Sequence, residues 1–208
     1  PGNLLSDSTI IDPVILSQVN ETFTVIVGNG VCPNDTLSID VIPYIVTTEG
    51  DDTLCVGETA QIVSVANIPG FTYSWDRSDG LSCNNCGSPT FTASDAPLGS
   101  TDYVVTFTSA DGACTEVNTV TMVVLEVPNP DIGQDQTICE GETVSLGTTD
   151  EGISYSWVDG AGNNLGTNNF INPTPSATTT YTILADNGQC SATDDATINV
   201  AGNFTIAS

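Results

Sequence analysis

The chain has 208 residues, of which 39% are hydrophobic and 13% charged, with 26 acidic side chains set against a single basic one, Arg77. A formal net charge of −25, with no lysine and no histidine, excludes binding to nucleic acid or to an anionic membrane surface, both of which need a basic face. It also removes the usual general bases and amine nucleophiles, so the chain is read as not an enzyme. A pair of carboxylates could still hydrolyse glycosides, but modules as small as those described next leave no deep cleft for a sugar chain.

The first stretch, Pro1 to about Ile42, is predicted to hold strands at Ser8–Ile11, Thr22–Val27 and Thr36–Ile42, with a turn at Gly28-Asn-Gly30. Ile42-Pro-Tyr-Ile45 reads as a linker. A fuller unit follows, running through LCVGETAQIVSV, FTYSW, STDYVVTFTSADGAC and VNTVTMVVLEV between Leu54 and Val127. Val127-Pro-Asn-Pro130 is a second proline linker. Beyond it, ICEGETVSL, ISYSW, TTTYTILADNGQC and SATDDATINV repeat the same order up to Val200. Within Ile153-Ser-Tyr-Ser-Trp157 the large side chains alternate with serine, which puts them on one face of a strand and favours core packing over an exposed sugar-stacking platform. Asp186-Asn-Gly188 reads as a tight hairpin turn with Asn-Gly at positive φ.

The anchors of the two full copies are equivalent: Cys55 with Cys139, Glu58 with Glu142, Tyr73 with Tyr155, Trp75 with Trp157, Tyr103 with Tyr181 and Cys114 with Cys190. The first stretch matches the back half of a copy, since ETFTVIVGNGVC resembles TTYTILADNGQC. Self-similarity at a period of about 80 residues marks an array of modules. The expected divisions are 1–43, the C-terminal half of a module; 44–127 and 128–200, complete modules; and 201–208, the start of a further linker or module. The fold class expected is all-β: tandem immunoglobulin-like β-sandwich modules arranged end to end.

Recurring cysteines imply an oxidising compartment. The repeat predicts that each module is closed on itself, by Cys55–Cys114 and by Cys139–Cys190. Cys32 is equivalent to Cys114 and Cys190, so its partner is expected upstream of Pro1 and it stays unpaired within the chain. Cys83-Asn-Asn-Cys86 could mean zinc or thiol redox chemistry. Zinc would need four ligands, and a redox pair would need a helix N-terminus and a neighbouring cation; a local Cys83–Cys86 disulfide satisfies the pattern without these.

With those pairings, Asp51, Glu58 and Asp111 would approach one another in one module, and Asp135, Glu140, Glu142 and Asp186 in the other. Such oxygen clusters are candidate calcium ligands at module junctions. The competing reading is that they are ordinary turn carboxylates, since no dedicated calcium loop is present. Calcium is the one cofactor the sequence raises.

Cys-x-Gly-Glu-x-Val-x-Leu, then Tyr-Ser-Trp, then Thr-x-Tyr-x-Val and an Asp/Asn-Gly turn before cysteine, resembles the immunoglobulin-like and PKD-like repeats of very large Bacteroidetes surface proteins. These include gliding-motility adhesins and other type IX secretion cargo. The resemblance covers essentially the whole chain and implies export, an extracellular or cell-surface location, and a stalk or filament role in adhesion or gliding. Partners implied are neighbouring modules of the same chain and, beyond them, surface polysaccharide or other cell-surface proteins. The alternative of a different class is a carbohydrate-binding module array. The resemblance to antibody domains is looser, because Tyr103 and Tyr181 lie too far ahead of their cysteines for a tyrosine corner. Asp7-Ser-Thr, Asp35-Thr-Leu and Asp52-Thr-Leu look like Bacteroidetes O-glycosylation motifs, with acceptors Ser8, Thr36 and Thr53. Asn20, Asn34 and Asn203 head N-glycosylation sequons.

Overall fold

The computed structural model describes residues 20–28, 35–43, 45–149 and 154–202. Cys32, Ser8, Asn34, Asn203 and the strand expected at Ser8–Ile11 lie outside the described residues. Among the described residues the regular structure is strand throughout, apart from a three-residue 3-10 turn at Ala93–Asp95.

β1 (Glu21–Val27) and β2 (Asp35–Val41) form an antiparallel pair, Glu21 opposite Val41 and Val27 opposite Asp35. The next module is built from β3 (Val46–Glu49), β4 (Asp52–Cys55), β5 (Thr59–Gln61), β6 (Val63–Ala66), β7 (Thr72–Trp75), β8 (Thr90–Thr92), β9 (Gly99–Thr108) and β10 (Thr115–Leu125). Its main sheet has the order β4-β10-β9-β7, faced by the pairs β3-β6 and β5-β8. The last module contains β11 (Gln136–Cys139), β12 (Leu146–Gly147), β13 (Ser154–Asp159), β14 (Asn164–Gly166), β15 (Phe170–Ile171), β16 (Thr179–Asp186) and β17 (Ser191–Ala201). Its main sheet runs β11-β17-β16-β13-β14, with β12-β15 opposite.

The cores follow from the period-2 alternation of the long hairpins. β9 buries Tyr103, Val105 and Phe107, and β10 buries Val120, Met122 and Val124. In the second sandwich β16 buries Tyr181, Ile183 and Ala185 against Ala196 and Ile198 of β17. Trp75 lies opposite Val105, and Trp157 lies opposite Ile183. Each indole is buried, and each satisfies its one donor on a main-chain carbonyl eleven residues downstream: Trp75 on Cys86 at 2.9 Å, Trp157 on Asn168 at 2.8 Å. Large aromatics of this kind contribute most to so small a core, and their polar atom must be paired to be buried. The two clusters are separate, one drawn from residues 54–124 and the other from 132–198.

The edge strand of each main sheet is parallel to the last strand of its module. In one, Asp52–Cys55 runs beside Met122–Leu125; in the other, Gln136–Cys139 runs beside Ile198–Ala201. This register makes Cys55 level with Leu125 and Cys139 level with Ala201, so both cysteines stand where their module's chain exits. Cys114 and Cys190 are carried at the other end of the same long hairpins, beside the Thr108–Thr115 and Asp186–Ser191 closures.

Candidate functional site: a covalent junction between two modules

Cys55-Val-Gly-Glu58 is a turn that fixes a cysteine at the tip of an edge strand. The Glu58 N–H donates to the Cys55 carbonyl at 3.0 Å, and Gly57 supplies the positive φ of +98° that a type II turn needs at its third residue. The Glu58 carboxylate reaches back to accept the Cys55 N–H at 2.8 Å. Val56 N–H donates to the Leu125 carbonyl at 2.9 Å, tying the turn to the end of β10. The other copy repeats this: Glu142 N–H to Cys139 carbonyl at 3.1 Å, Cys139 N–H to Glu142 Oε2 at 2.8 Å, and Gly141 at φ +89°.

The opposing half of the junction is the β16–β17 hairpin. Asn187 N–H donates to the Cys190 carbonyl at 3.1 Å, while Asn187 Oδ1 accepts the Gln189 and Cys190 N–H groups at 3.1 and 2.8 Å. Gly188 has φ +95°, but no non-glycine residue described has positive φ. The Asn-Gly turn expected from sequence is therefore a four-residue loop, 187–190, in which Asn187 adds a side-chain acceptor to its backbone N–H and only Gly188 has positive φ. Asn187 Nδ2 donates to the Glu126 carbonyl at 3.0 Å, so the hairpin also grips the linker.

Cys55 and Cys190 form a disulfide, with Cα atoms 5.7 Å apart and a sequence separation of 135. This corrects both long pairings expected from the repeat: Cys114 and Cys139 are free. The reason is geometric. β10 is 11 residues long, which places Cys55 and Cys114 at opposite ends of about 33 Å of strand, far beyond the ~7 Å Cα limit of a disulfide. Cys139 and Cys190 are separated in the same way by the 11 residues of β17. The modules are joined to each other, not closed on themselves. Cys83 and Cys86 are joined locally, in the loop whose Cys86 carbonyl takes the Trp75 indole.

The same separation dissolves the expected calcium clusters, and among the described residues no group of three or more His, Cys, Asp or Glu side chains is placed to hold a metal. All of these carboxylates but Glu140 have a hydrogen-bonding task instead. Asp51 accepts the Thr121 N–H at 2.7 Å, and its equivalent Asp135 accepts the Thr197 N–H at 2.8 Å, each pinning the edge strand to the last strand. Glu58 and Glu142 hold their cysteine turns, and Asp186 accepts the Gly188 N–H at 2.6 Å. Glu140 is an exposed residue of the cysteine turn. Asp111 accepts the Ser109 hydroxyl at 2.6 Å and the Ala113 N–H at 3.1 Å, and these bonds, the hydroxyl first, hold its carboxyl below the usual carboxylate range.

Of the modification candidates, Asn20 and Thr36 are exposed and Thr53 is half-buried. Both tryptophans of the chain are inside the cores, so neither offers a face to a sugar ring. Arg77 is spent on Asp79, at 2.8 Å, with its guanidinium 5.2 Å from the Tyr103 ring centre.

Neither Glu126 nor the side-chain role of Asn187 carries a repeat signature. Asp51 and Asp135, expected as calcium ligands, pin strands instead, and their matching positions before the cysteine strands already mark them as a recurring feature.

No family model matches the chain. No curated protein matches it either. Solved structures do. The chain is similar to the extracellular domains 3–5 of Drosophila OTK, at 13% identity and TM-score 0.52, over 91% of this chain and 74% of that one. A three-immunoglobulin titin fragment, I67–I69, aligns at 13% identity and TM-score 0.47, over 97% of this chain and 83% of that one. Rst D1–D2 aligns at 14% identity and TM-score 0.43, over 76% of this chain and 99% of that one. The likeness to the OTK domains, together with the strand order above, establishes the fold: this is an all-β chain of tandem immunoglobulin-like sandwiches.

Proposed function

We propose that the chain is a non-enzymatic, load-bearing spacer of a secreted cell-surface protein, a stalk segment whose modules hold a fixed spacing. The observation that carries this reading is the Cys55–Cys190 bond across the junction. A disulfide within a module protects that module's fold. One between modules restrains their spacing and orientation, which matters when the array itself is the working part. Disulfides also favour an extracellular location. Sequence resemblance supports a surface adhesin or gliding-filament setting, with neighbouring modules as the nearest partners.

Small-angle scattering tests it. Two sandwiches joined end to end, each about 35 Å long, give a rod of about 80 Å and a radius of gyration near 23 Å. A value near ~17 Å, the expectation for one compact body of about 200 residues, overturns the reading.

A further inference from the structure

The two outer ends of the paired modules carry the same two half-junctions that meet in the middle. At the exit of the last module, Cys139 sits in a turn that repeats both bonds within the Cys55 turn, N–H to carbonyl and N–H to carboxylate, level with Ala201 as Cys55 is level with Leu125. Cys139 is exposed and free. At the outer end of the other module, Cys114 is carried on the β9–β10 hairpin. Its N–H donates to Ser109 Oγ at 2.9 Å and its carbonyl accepts the Ser109 N–H at 2.9 Å, matching the two bonds between Asn187 and Cys190. Cys114 is free as well.

We infer that Cys139 is the receiving half of a second inter-module staple, and that its occupant is the hairpin cysteine of a module of this same class joined behind Ala201. Cys114 is the donating half of the same device, facing a Cys-x-Gly-Glu turn of a preceding module. The rule is that the edge-strand cysteine of one module bonds the hairpin cysteine of the next. A free cysteine alone would carry no such assignment. Here the bonded equivalent is visible at Cys55–Cys190, and the acceptor turn, the glycine conformation, the carboxylate lock and the register are all duplicated around Cys139.

The bond forms by exchange with a small-molecule disulfide such as glutathione disulfide. The Cys139 thiolate attacks one glutathione sulfur and releases one glutathione as thiolate, leaving a mixed disulfide. The hairpin thiolate then attacks the Cys139 sulfur and releases the second. Two protein thiols are oxidised, one glutathione disulfide is reduced, and the two protein protons end on the two glutathione thiols.

This inference deepens the spacer reading and rests on it for its purpose. Its test reads cysteine connectivity rather than shape, so either can fail alone. The full chain is lengthened by repeating residues 126–201 directly after Ala201, oxidised in glutathione buffer, alkylated, and mapped without reduction. In the 208-residue chain Cys139 is alkylated. In the lengthened chain its alkylation falls at least about tenfold, because the second cysteine is now held at high effective concentration. The Cys139 peptide is then recovered linked to the hairpin cysteine of the added copy, with Cys55–Cys190 intact. Cys139→Ser in the lengthened chain removes that link alone. Near-UV circular dichroism reports whether the added copy packs its tryptophan. A folded copy beside an alkylated Cys139 overturns the inference, and so does linkage of Cys139 to Cys114 or to its own counterpart. An added copy that fails to fold overturns it too, since the same sequence folds behind Leu125 and the inference holds that Ala201 offers the same seat.

Discussion

The Trp75 indole donates its N–H to the carbonyl of Cys86 at 2.9 Å, so the core of one module reads the conformation of the Cys83–Cys86 loop directly. Trp157 makes the same bond to Asn168 with no cysteine nearby, which shows that the hydrogen bond, not the sulfur bridge, is the recurring requirement. Trp75→Ala is therefore expected to cost about 3–5 kcal/mol from lost packing. Removing the bridge with Cys83→Ser and Cys86→Ser costs at most about 2 kcal/mol, the loop-closure value for so short a ring. Denaturant midpoints of the two variants check the order.

Cys55→Ser should weaken the tandem more than any single change outside the cores. Closing a loop that spans 135 residues restricts the unfolded chain by roughly 5 kcal/mol on the chain-entropy account. The two sandwiches should then melt as separate transitions, whereas the stapled protein has its transitions coupled. Calorimetry with and without reductant distinguishes these outcomes.

The repeat, the strand content and the buried aromatics were legible because all three are local. Tyr155 and Trp157 alternate with serine, and Tyr103 and Tyr181 lie within equivalent long strands. The disulfide partners were not legible. Equivalence says which cysteines play the same part, but only the length of β10 and β17 says that Cys55 and Cys114 face away from each other. The expected calcium clusters were built on that pairing and fell with it. Asn187 was misread for a smaller reason: an amide side chain can close a turn without its backbone entering the left-handed region.

Glu58→Ala should loosen the cysteine turn. It removes the carboxylate that accepts the Cys55 N–H at 2.8 Å, a charge-assisted bond at a partly exposed site worth about 1 kcal/mol. The sharper readout is kinetic: oxidative refolding should form Cys55–Cys190 more slowly, while Glu58→Gln, which retains an acceptor, recovers most of the rate.

Asp111 and Asp159 should titrate below the ~3.9 of an unperturbed aspartate. Asp111 is lowered chiefly by the Ser109 hydroxyl, and Asp159 by the Asn163 side chain and then its N–H. A carboxyl depressed in the folded state adds stability above its unfolded pKa and loses it as pH falls through the folded value. The loops around Ala113 and Ala161 should thus hold to about pH 4 and loosen below it, even as protonation elsewhere relieves the repulsion of the acidic surface. Amide chemical shifts of these two residues followed against pH supply the check.

Because all of the candidate carboxylates but Glu140 are engaged by an N–H or hydroxyl, and they lie on separate strands and turns, chelator and millimolar calcium should give the same melting curve. A rise in melting temperature on adding calcium would show a metal site that the described residues do not form.

The cross-junction bond also sets how far the chain can be drawn out. When the ends are pulled, tension passes from Cys55 straight to Cys190, and the segment between them is slack. Of a contour length of about 750 Å for 208 residues, a separation of 135 residues withholds roughly 490 Å at ~3.6 Å per residue, leaving ~260 Å. Both aromatic cores lie inside the withheld segment apart from Leu54, Ala196 and Ile198. Stretching the oxidised chain can strip β1 to β4 and β17, and there it stops; the rest becomes extensible only when the sulfur bond is cut, so the redox state of a single cystine sets how far these modules can be drawn out.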